Sequence, residues 1–388
     1  MQLFLLTIAS LSLLIWVILL AFWGQFWRSN QKLGDNVQLT TYPSVCAVIP
    51  ARNEAEALPL SLPSLLAQDY PGTLDIILVD DQSSDNTAKI AQEIAQGNNQ
   101  PEKLKILSGK PLAAGWTGKL WAMSQGISYA LEQSLQPDYF LFTDADIEHD
   151  TANLTELVNK AETEALDLVS LMVLLRCQSF WEKLLIPAFV FFFQKLYPFP
   201  WVNNPRKTTA AAAGGCILIR REALQRIGGI QAVRQALIDD CALGGAVKSS
   251  SKTGIWLGLT TKTRSLRPYP NLASVWDMVA RTAFTQLEYS PLLLLGTLFG
   301  MGIIYLLPPL AIFAGLFLGN WLIAAIGLLT WLLMSCAYFP TTNLYSLSPL
   351  WAIALPLIAF LYTLMTFDSA WRYWRGRGGE WKGRVYAN

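Results

Sequence analysis

The sequence predicts an α/β domain, a mostly parallel sheet with helices on both faces, framed by transmembrane helices at both ends. Three observations predict it. Residues 1–27 and 289–367 contain no Asp, Glu, Lys or Arg, so every charge lies in 28–288 or in the tail from Asp368. Inside that charged block, short β-rich runs alternate with longer helical stretches, the pattern of strands joined by crossover helices. Each strand ends in a polar loop, the place where such sheets bind ligands. The chain is 53% hydrophobic and 15% charged, against roughly 45–50% and about 25% in ordinary soluble domains, and this excess needs a solvent other than water. A net charge of +1 gives no field to hold a polyanion, which argues against nucleic-acid binding.

The apolar run Leu3 to Trp23 covers 21 residues, enough to span a hydrocarbon core of roughly 30 Å at about 1.5 Å per residue. It lacks the basic start, shorter core and small-residue cleavage site of a signal peptide, so residues 1–27 are expected to form a transmembrane helix. Arg28 and Lys32 follow directly, and positive flanks favour the cytoplasmic side. This predicts a linker over 28–43, a cytoplasmic domain over 44–288, a membrane region over 289–367 and a basic cytoplasmic tail over 368–388. Three apolar runs fill the membrane region, at about 291–318, 321–339 and 350–367. Three further crossings put the tail outside, against the preference of Arg372, Arg375, Arg377, Lys382 and Arg384 for the inside. The first run holds Gly296, Gly300, Gly302 and the pair Pro308 and Pro309, which break helical hydrogen bonding. It is expected to be a re-entrant or interfacial segment, leaving about two spans.

Within the charged block, Val45 to Ile49 reads as a strand, Ala55 to Ala67 as a helix, Asp75 to Val79 as a strand and Asn86 to Gln96 as a helix. A helix from about Leu120 to Leu131 leads to the strand Tyr139 to Thr143. The strands end in Pro50-Ala51-Arg52-Asn53-Glu54, Asp80 to Asp85, and Asp144-Ala145-Asp146, which predicts a nucleotide site on that rim. No G-x-G-x-x-G follows the first strand, and Gly115 to Leu120 lacks the spacing of a phosphate loop, so dinucleotide oxidoreduction and P-loop hydrolysis are disfavoured. Cys46, Cys177, Cys216, Cys241 and Cys336 show no C-x-x-C spacing and read as buried, reduced thiols.

Asp144 and Asp146 are hard oxygen ligands two residues apart, suited to Mg²⁺ or Mn²⁺ shared with substrate phosphates; such pairs also sit in ordinary loops. Asp80-Asp81 has a turn reading, with Asp85 and Asn86 capping the next helix, while a carboxylate at Asp81 can accept from a pyrimidine N–H. Asp239-Asp240 reads either as the acidic first turn of a helix or as a general base with a carboxylate neighbour. His149, just beyond the Asp pair, reads as a solvated loop histidine.

These residues together resemble the inverting glycosyltransferases of family 2, whose fold is called GT-A. The likeness runs from Val45 to about Gln286 and is carried by the Pro50 to Glu54 loop, Val79 to Thr87, Gly118-Lys119 and Thr143 to Asp146. It continues with Gly214-Gly215-Cys216, Gly228-Gly229 and Leu237 to Leu243. The membrane runs and the ending Gly376 to Arg384 look like the hopene-associated glycosyltransferases, a bacterial subgroup. The resemblance implies that Pro50, Ala51, Arg52, Glu54 and Asp81 hold the nucleoside of a UDP-sugar, with Lys119 and Asp144 nearby. It implies that Asp146, with Asp144, brings Mg²⁺ or Mn²⁺ to the diphosphate and that Asp240 is the catalytic base. Gly214, Gly215, Asp239 and Phe284 are then expected around the acceptor, and Arg281 becomes a possible diphosphate contact. It also implies a multi-pass protein of the bacterial inner membrane.

One departure narrows the activity. Many membrane-bound relatives carry Gln-x-x-Arg-Trp after the catalytic Asp, whereas the matching stretch here is Ala280-Arg281-Thr282-Ala283-Phe284. Single-sugar transfer is therefore expected in preference to polysaccharide synthesis. Leu184 to Phe193, followed by Lys195, Tyr197 and Trp201, reads as a segment of the membrane interface near an apolar acceptor, which in the resembling subgroup is a hopanoid, with a plain buried helix as the other reading. A polyprenyl-phosphate or sphingolipid-like acceptor is the alternative; a phosphate needs cations such as Arg220, Arg221 or Lys248 near Asp240. A non-catalytic scaffold in a lipid pathway is the second alternative.

Overall fold

The computed structural model describes the chain except residues 35–37, 99, 134, 377–379, 382, 383 and 386–388. Arg377 and Lys382, two of the basic tail residues, lie outside the described residues. Eight strands form one sheet: β1 (Val45–Ala51), β2 (Leu74–Asp80), β3 (Leu104–Ser108), β4 (Tyr139–Thr143), β5 (Ile147–Glu148), β6 (Leu168–Leu174), β7 (Cys216–Arg220) and β8 (Ile255–Ser265). Their order is β3-β2-β1-β4-β7-β6-β8-β5. The half from β3 to β4 is parallel, as the alternating runs predict, and β1 and β4 are buried along their whole length. Both faces of the sheet are covered, so these strands read as continuous apolar runs.

The other half is mixed, and this mixing builds the functional rim. β7 runs antiparallel to β4 with Thr143 opposite Cys216, which brings Gly214 and Gly215, at the entry of β7, beside Asp144 at the exit of β4. β8 runs antiparallel to β5 with Ser265 opposite Ile147, and Leu266 N donates to Asp146 O at 2.8 Å. Residues just after β8 therefore meet the Asp pair. The expected linker is tied down as well, since Lys32 bridges Leu259 of β8.

Among the described residues, four helices are long and apolar enough to cross a membrane: Gln2–Phe22, Pro291–Phe317, Trp321–Leu344 and Pro349–Trp374. The break expected in the second does not occur. Residues 291–317 form one helical run that widens into a π segment at Gly302–Leu306. In π register, Pro308 and Pro309 would face the carbonyls of Ile303 and Ile304 but have no N–H to donate. Ser12 Oγ donates to Ile303 O at 2.7 Å and Trp16 Nε1 to Ile304 O at 2.8 Å. The first helix thus satisfies what the prolines leave open, as an apolar surround demands. Gly315 and Gly327 let the second and third helices touch: an added Cβ would lie 2.5 Å from Ala324 N and 2.6 Å from Pro308 O.

The last helix, Leu355–Trp374, is placed differently. Trp351, in the turn leading into it, packs on Phe180 with ring centroids 5.7 Å apart. Its middle rests on the helix Phe180–Leu196, where Tyr362 Oη donates to Leu185 O at 2.9 Å. Its far end also returns to the α/β domain: Trp276 Nε1 donates to Asp368 at 2.7 Å, Arg372 to Asp277 at 2.7 Å and Phe284 N to Ser369 Oγ at 2.9 Å. Leu357, Phe360, Leu364, Phe367, Trp371 and Trp374 are exposed at three- and four-residue spacing, one uninterrupted apolar stripe. Half of the helix Phe180–Leu196, expected on the membrane surface, is buried, packed against the helices Leu272–Ala280, Trp321–Leu344 and Leu355–Trp374. All five cysteines are free; Cys46 and Cys216 are buried as expected, but Cys336 is exposed on the third apolar helix.

Candidate active site

The strand register sets the site. Ala51 lies opposite Asp80 and Val48 opposite Phe142, so the loops after β1, β2 and β4 leave the sheet on one rim. Asp81 is fully buried there, its N–H donating to Ala51 O at 2.8 Å. Arg52 donates to Asp81 O at 2.6 Å, with its guanidinium 4.0 Å from the Asp81 carboxylate. The turn reading of this loop is borne out at Asp85, while Asn86 stands at the N-cap of the next helix without a side-chain cap bond. Asp85 accepts from the Thr87 hydroxyl, from Thr87 N at 3.0 Å and from Ala55 N at 3.2 Å; against the upward pull of burial these bonds, the hydroxyl's foremost, hold its carboxyl below the usual range.

Lys119, in the first turn of the helix Gly118–Glu132, is the hub of the site. Its ammonium stands 2.9 Å from Asp144 and 3.4 Å from Asp239. Burial works against its charge, but Asp144 and Asp239 outweigh burial and keep it protonated. Asp144 is pushed up by burial, with Lys119 opposing. The helix Asp239–Ser250 begins at the acidic pair, so the helix-start reading and the base reading both fit. Asp240 accepts from Gly214 N and from Cys241 N, each at 2.8 Å. Burial, reinforced by Asp239, raises its carboxyl to about 6, a value suited to a base near neutral pH.

Arg267 is the residue that sequence reading missed. Its Nε donates to Asp146 at 3.0 Å and its terminal nitrogen lies 3.3 Å from Glu54, while Ser265 Oγ also donates to Asp146 at 3.2 Å. Its only signal is the register of β8, which no local motif reports.

His149 is buried rather than solvated. Asn153 Nδ2 lies 3.0 Å from its Nδ1 and Thr143 Oγ1 lies 2.9 Å from its Nε2, while Thr143 donates to Gly215 O at 2.9 Å. This network assigns the proton to Nε2, and burial depresses the ring to about 4, so it stays neutral and braces the exit of β4.

Among the described residues, no group of three or more His, Cys, Asp and Glu is arranged to hold a metal ion. The donor set that is present, Asp144 and Asp146 at one wall of a cavity, fits a hard cation that takes its other ligands from phosphate and water.

That cavity has a volume of about 830 Å³. Its rim carries Pro50, Glu54, Lys119, Asp144, Asp146, Gly214, Gly215, Asp239, Asp240 and Arg281, and its far wall Leu292, Gly296, Gly300, Ile304, Tyr362 and Thr366. Phe284 is not brought to it. It is buried in an aromatic cluster with Tyr289, Tyr373 and Trp374, pinning the end of the last helix.

Residues 46–228 match the family model described as Glycosyl transferase family 2. The chain carries a family 2 glycosyltransferase domain. Two relatives are 4,4'-diaponeurosporenoate glycosyltransferases: that of Staphylococcus haemolyticus is 33% identical over 30% of this chain and 28% of its own length. That of Staphylococcus aureus is 26% identical over 54% of this chain and 52% of its own. The chain therefore spans about half or less of these relatives. A solved mannosyltransferase from Pyrobaculum calidifontis, in complex with GDP-Man and Mn2+, aligns over 96% of this chain and 98% of its own at 17% identity and a TM-score of 0.54. The fold is thus GT-A-like, with apolar helices at both ends.

Proposed function

We propose that the protein is a membrane-bound inverting glycosyltransferase that moves one sugar from a UDP-sugar to a lipid acceptor at the inner membrane of a bacterium. One observation carries this reading: a single cavity joins the carboxylates Asp144, Asp146 and Asp240 to Gly296, Gly300 and Tyr362 of the apolar helices. A polar donor and an apolar acceptor can meet only in such a space. The two staphylococcal relatives, named for a lipid-like carotenoid acid, support an apolar acceptor.

The loop Pro50 to Glu54 and Asp81 hold the nucleoside. Asp144 and Asp146 would hold Mg²⁺ or Mn²⁺, which would supply neutralising charge for the leaving diphosphate. Arg281, on the cavity wall and in no ion pair among the described residues, faces the same diphosphate. Asp240 takes the proton of the acceptor hydroxyl, the freed oxygen forms a bond to the anomeric carbon, and the bond to the diphosphate oxygen breaks, releasing UDP with inversion. Lys119 ties Asp144 to Asp239 and so couples the donor and acceptor halves. Gly214 and Gly215 leave room where the two meet.

The contacts also support a topology with the α/β domain and tail on the cytoplasmic side. The helix at 291–317 crosses, and the last helix, docked on the domain at both ends, lies in the interface. The polyprenyl-phosphate alternative loses the cations named for it. Arg220 pairs with Glu162, Arg221 with Gln136, and Lys248 donates to three backbone carbonyls. A hopanoid is one neutral acceptor within the class. To test the reading, membranes containing the protein are given labelled UDP-sugars. Label should appear in a lipid extract characterised by mass spectrometry, and its absence with every donor would sink the proposal.

A further inference from the structure

Four cations line the cavity: Lys119, Lys195, Arg267 and Arg281. Lys119 and Arg267 are held by carboxylates of the rim. Lys195, in the last turn of the helix Phe180–Leu196, lies on the membrane side and meets no carboxylate among the described residues. Its ammonium donates to Tyr305 Oη at 3.0 Å and sits 4.7 Å from the centre of the Tyr305 ring. An ammonium has three donors, and one hydroxyl satisfies one of them.

The carboxylates of the cavity stand at its rim, and none among the described residues pairs with this ammonium. Phe192, Phe193, Met301 and Ile304 share the cavity wall, and residues 289–367 contain no Asp or Glu. Burial lowers the amine to about 8, which leaves it mostly protonated near neutral pH. A cation kept in apolar surroundings is costly unless an anion joins it, and in this wall the anion must arrive with a ligand.

We propose that Lys195, its ammonium held in place by the Tyr305 hydroxyl behind the wall, is a specificity-determining subsite for an acidic group, a carboxylate or phosphate, carried by the lipid acceptor. The proposal rests on the lipid-acceptor reading above. The acid is a recognition handle, separate from the hydroxyl that Asp240 deprotonates. Lys195 shares no hydrogen-bond partner with Asp240 among the described residues.

The test uses the full chain in phosphatidylcholine nanodiscs, with palmitate, hexadecyl phosphate and hexadecanol as competing amphiphiles. Either anion should bind about tenfold more tightly than the alcohol, the worth of one charge-assisted hydrogen bond. The order of the two anions tells carboxylate from phosphate. Lys195→Met should erase that advantage and Lys195→Arg retain it. Should Lys195→Met not fold, hexadecanesulfonate, charged at every pH used, reads the same site in the unaltered protein. Its advantage over hexadecanol should fall as pH rises through about 8 and the amine loses its proton. No anion preference, or one that survives in Lys195→Met, overturns the proposal. Gly300→Phe separates the two readings, because Gly300 lines the cavity and a Cβ there meets nothing within 4 Å, so the added ring takes up acceptor space. If all three amphiphiles bind equally and Gly300→Phe expels them, the acceptor reading stands and the Lys195 subsite falls. If Gly300→Phe changes nothing, both fall.

Discussion

The backbone N–H of Gly214 donates to the carboxylate of Asp240 at 2.8 Å, so a residue without a side chain orients the proposed base. A Cβ at Gly214 would stand 3.1 Å from Lys119 Nζ and 3.3 Å from Asp240 Oδ2. Gly214→Ala should therefore shift the charged pair by a few tenths of an ångström and lower kcat by about tenfold or more. The melting temperature should barely move, because the neighbours are cavity-lining groups. Unaltered turnover would show that Asp240 does not need this placement.

The pH profile follows from the raised carboxyl of Asp240. Only the ionised form takes a proton, so kcat/KM should be flat above neutrality and fall as pH drops through about 6. Asp240→Asn should lose about 10²-fold or more while retaining donor affinity. An acid limb near the ordinary carboxylate value of 3.8, or a normal rate in the variant, would place the base elsewhere, with Asp239 next to examine.

Arg267 competes with a cation for Asp146. Arg267→Gln leaves Asp146 and Glu54 without their shared partner, so Mn²⁺ should bind the donor-free protein several-fold more tightly, read by calorimetry or by the spin signal of the free ion. Weaker or unchanged Mn²⁺ binding would remove Asp146 from the metal set.

Trp16→Phe tests the satisfied proline segment. The indole bond to the Ile304 carbonyl is lost while most of the ring's packing on Tyr305 stays, so stability in detergent should drop by roughly 1–3 kcal/mol. Replacing Pro308 and Pro309 with Ala in the same chain restores backbone donors and should recover part of it. A variant as stable as the parent would mean that water or another group serves that carbonyl.

Topology is checked by single cysteines on a background without the native ones. Asn320 sits beside Gln2 at the end of the bundle farthest along the chain from the domain, and Asn320→Cys should react with an impermeant reagent in intact cells. Arg375→Cys, just past the last helix, should react only after permeabilisation. Labelling of both from outside would make the last helix a crossing.

The rim was legible because its chemistry is local. Pro50 to Glu54, Asp81 and the Asp144–Asp146 pair each end an apolar strand, and a parallel sheet places such ends side by side. Arg267 was not legible, since it meets Asp146 from 121 positions away through an antiparallel edge that no spacing rule announces. Gly214 and Gly215 stand out in the sequence, but their place beside Asp144 depends on the reversed direction of β7. His149 read as solvated because its loop is polar; in the fold Thr143, Asn153 and Ser64, from three separate elements, close round it. Pro308 and Pro309 read as a break because a one-dimensional pattern cannot show that Ser12 and Trp16, nearly 300 residues earlier, come back to complete the backbone. Lys195 was read as one end of an aromatic run near the acceptor, but nothing in that run reports that Tyr305, 110 positions later, meets its ammonium.

A cavity that begins among carboxylates and ends among Gly296, Gly300 and Tyr362 makes the two substrates answer to different concentration scales. The donor arrives by three-dimensional diffusion from water, and its occupancy follows its molarity. The acceptor arrives by sideways diffusion within one leaflet, and its occupancy follows its mole fraction among the surrounding lipids. Diluting the acceptor with inert lipid at constant total amount should slow the reaction, whereas diluting the whole suspension with buffer at fixed donor should leave the rate per enzyme unchanged. The glycosylated product, its chain still in the bilayer, leaves by the side through which the acceptor came and stays on the face where it was made.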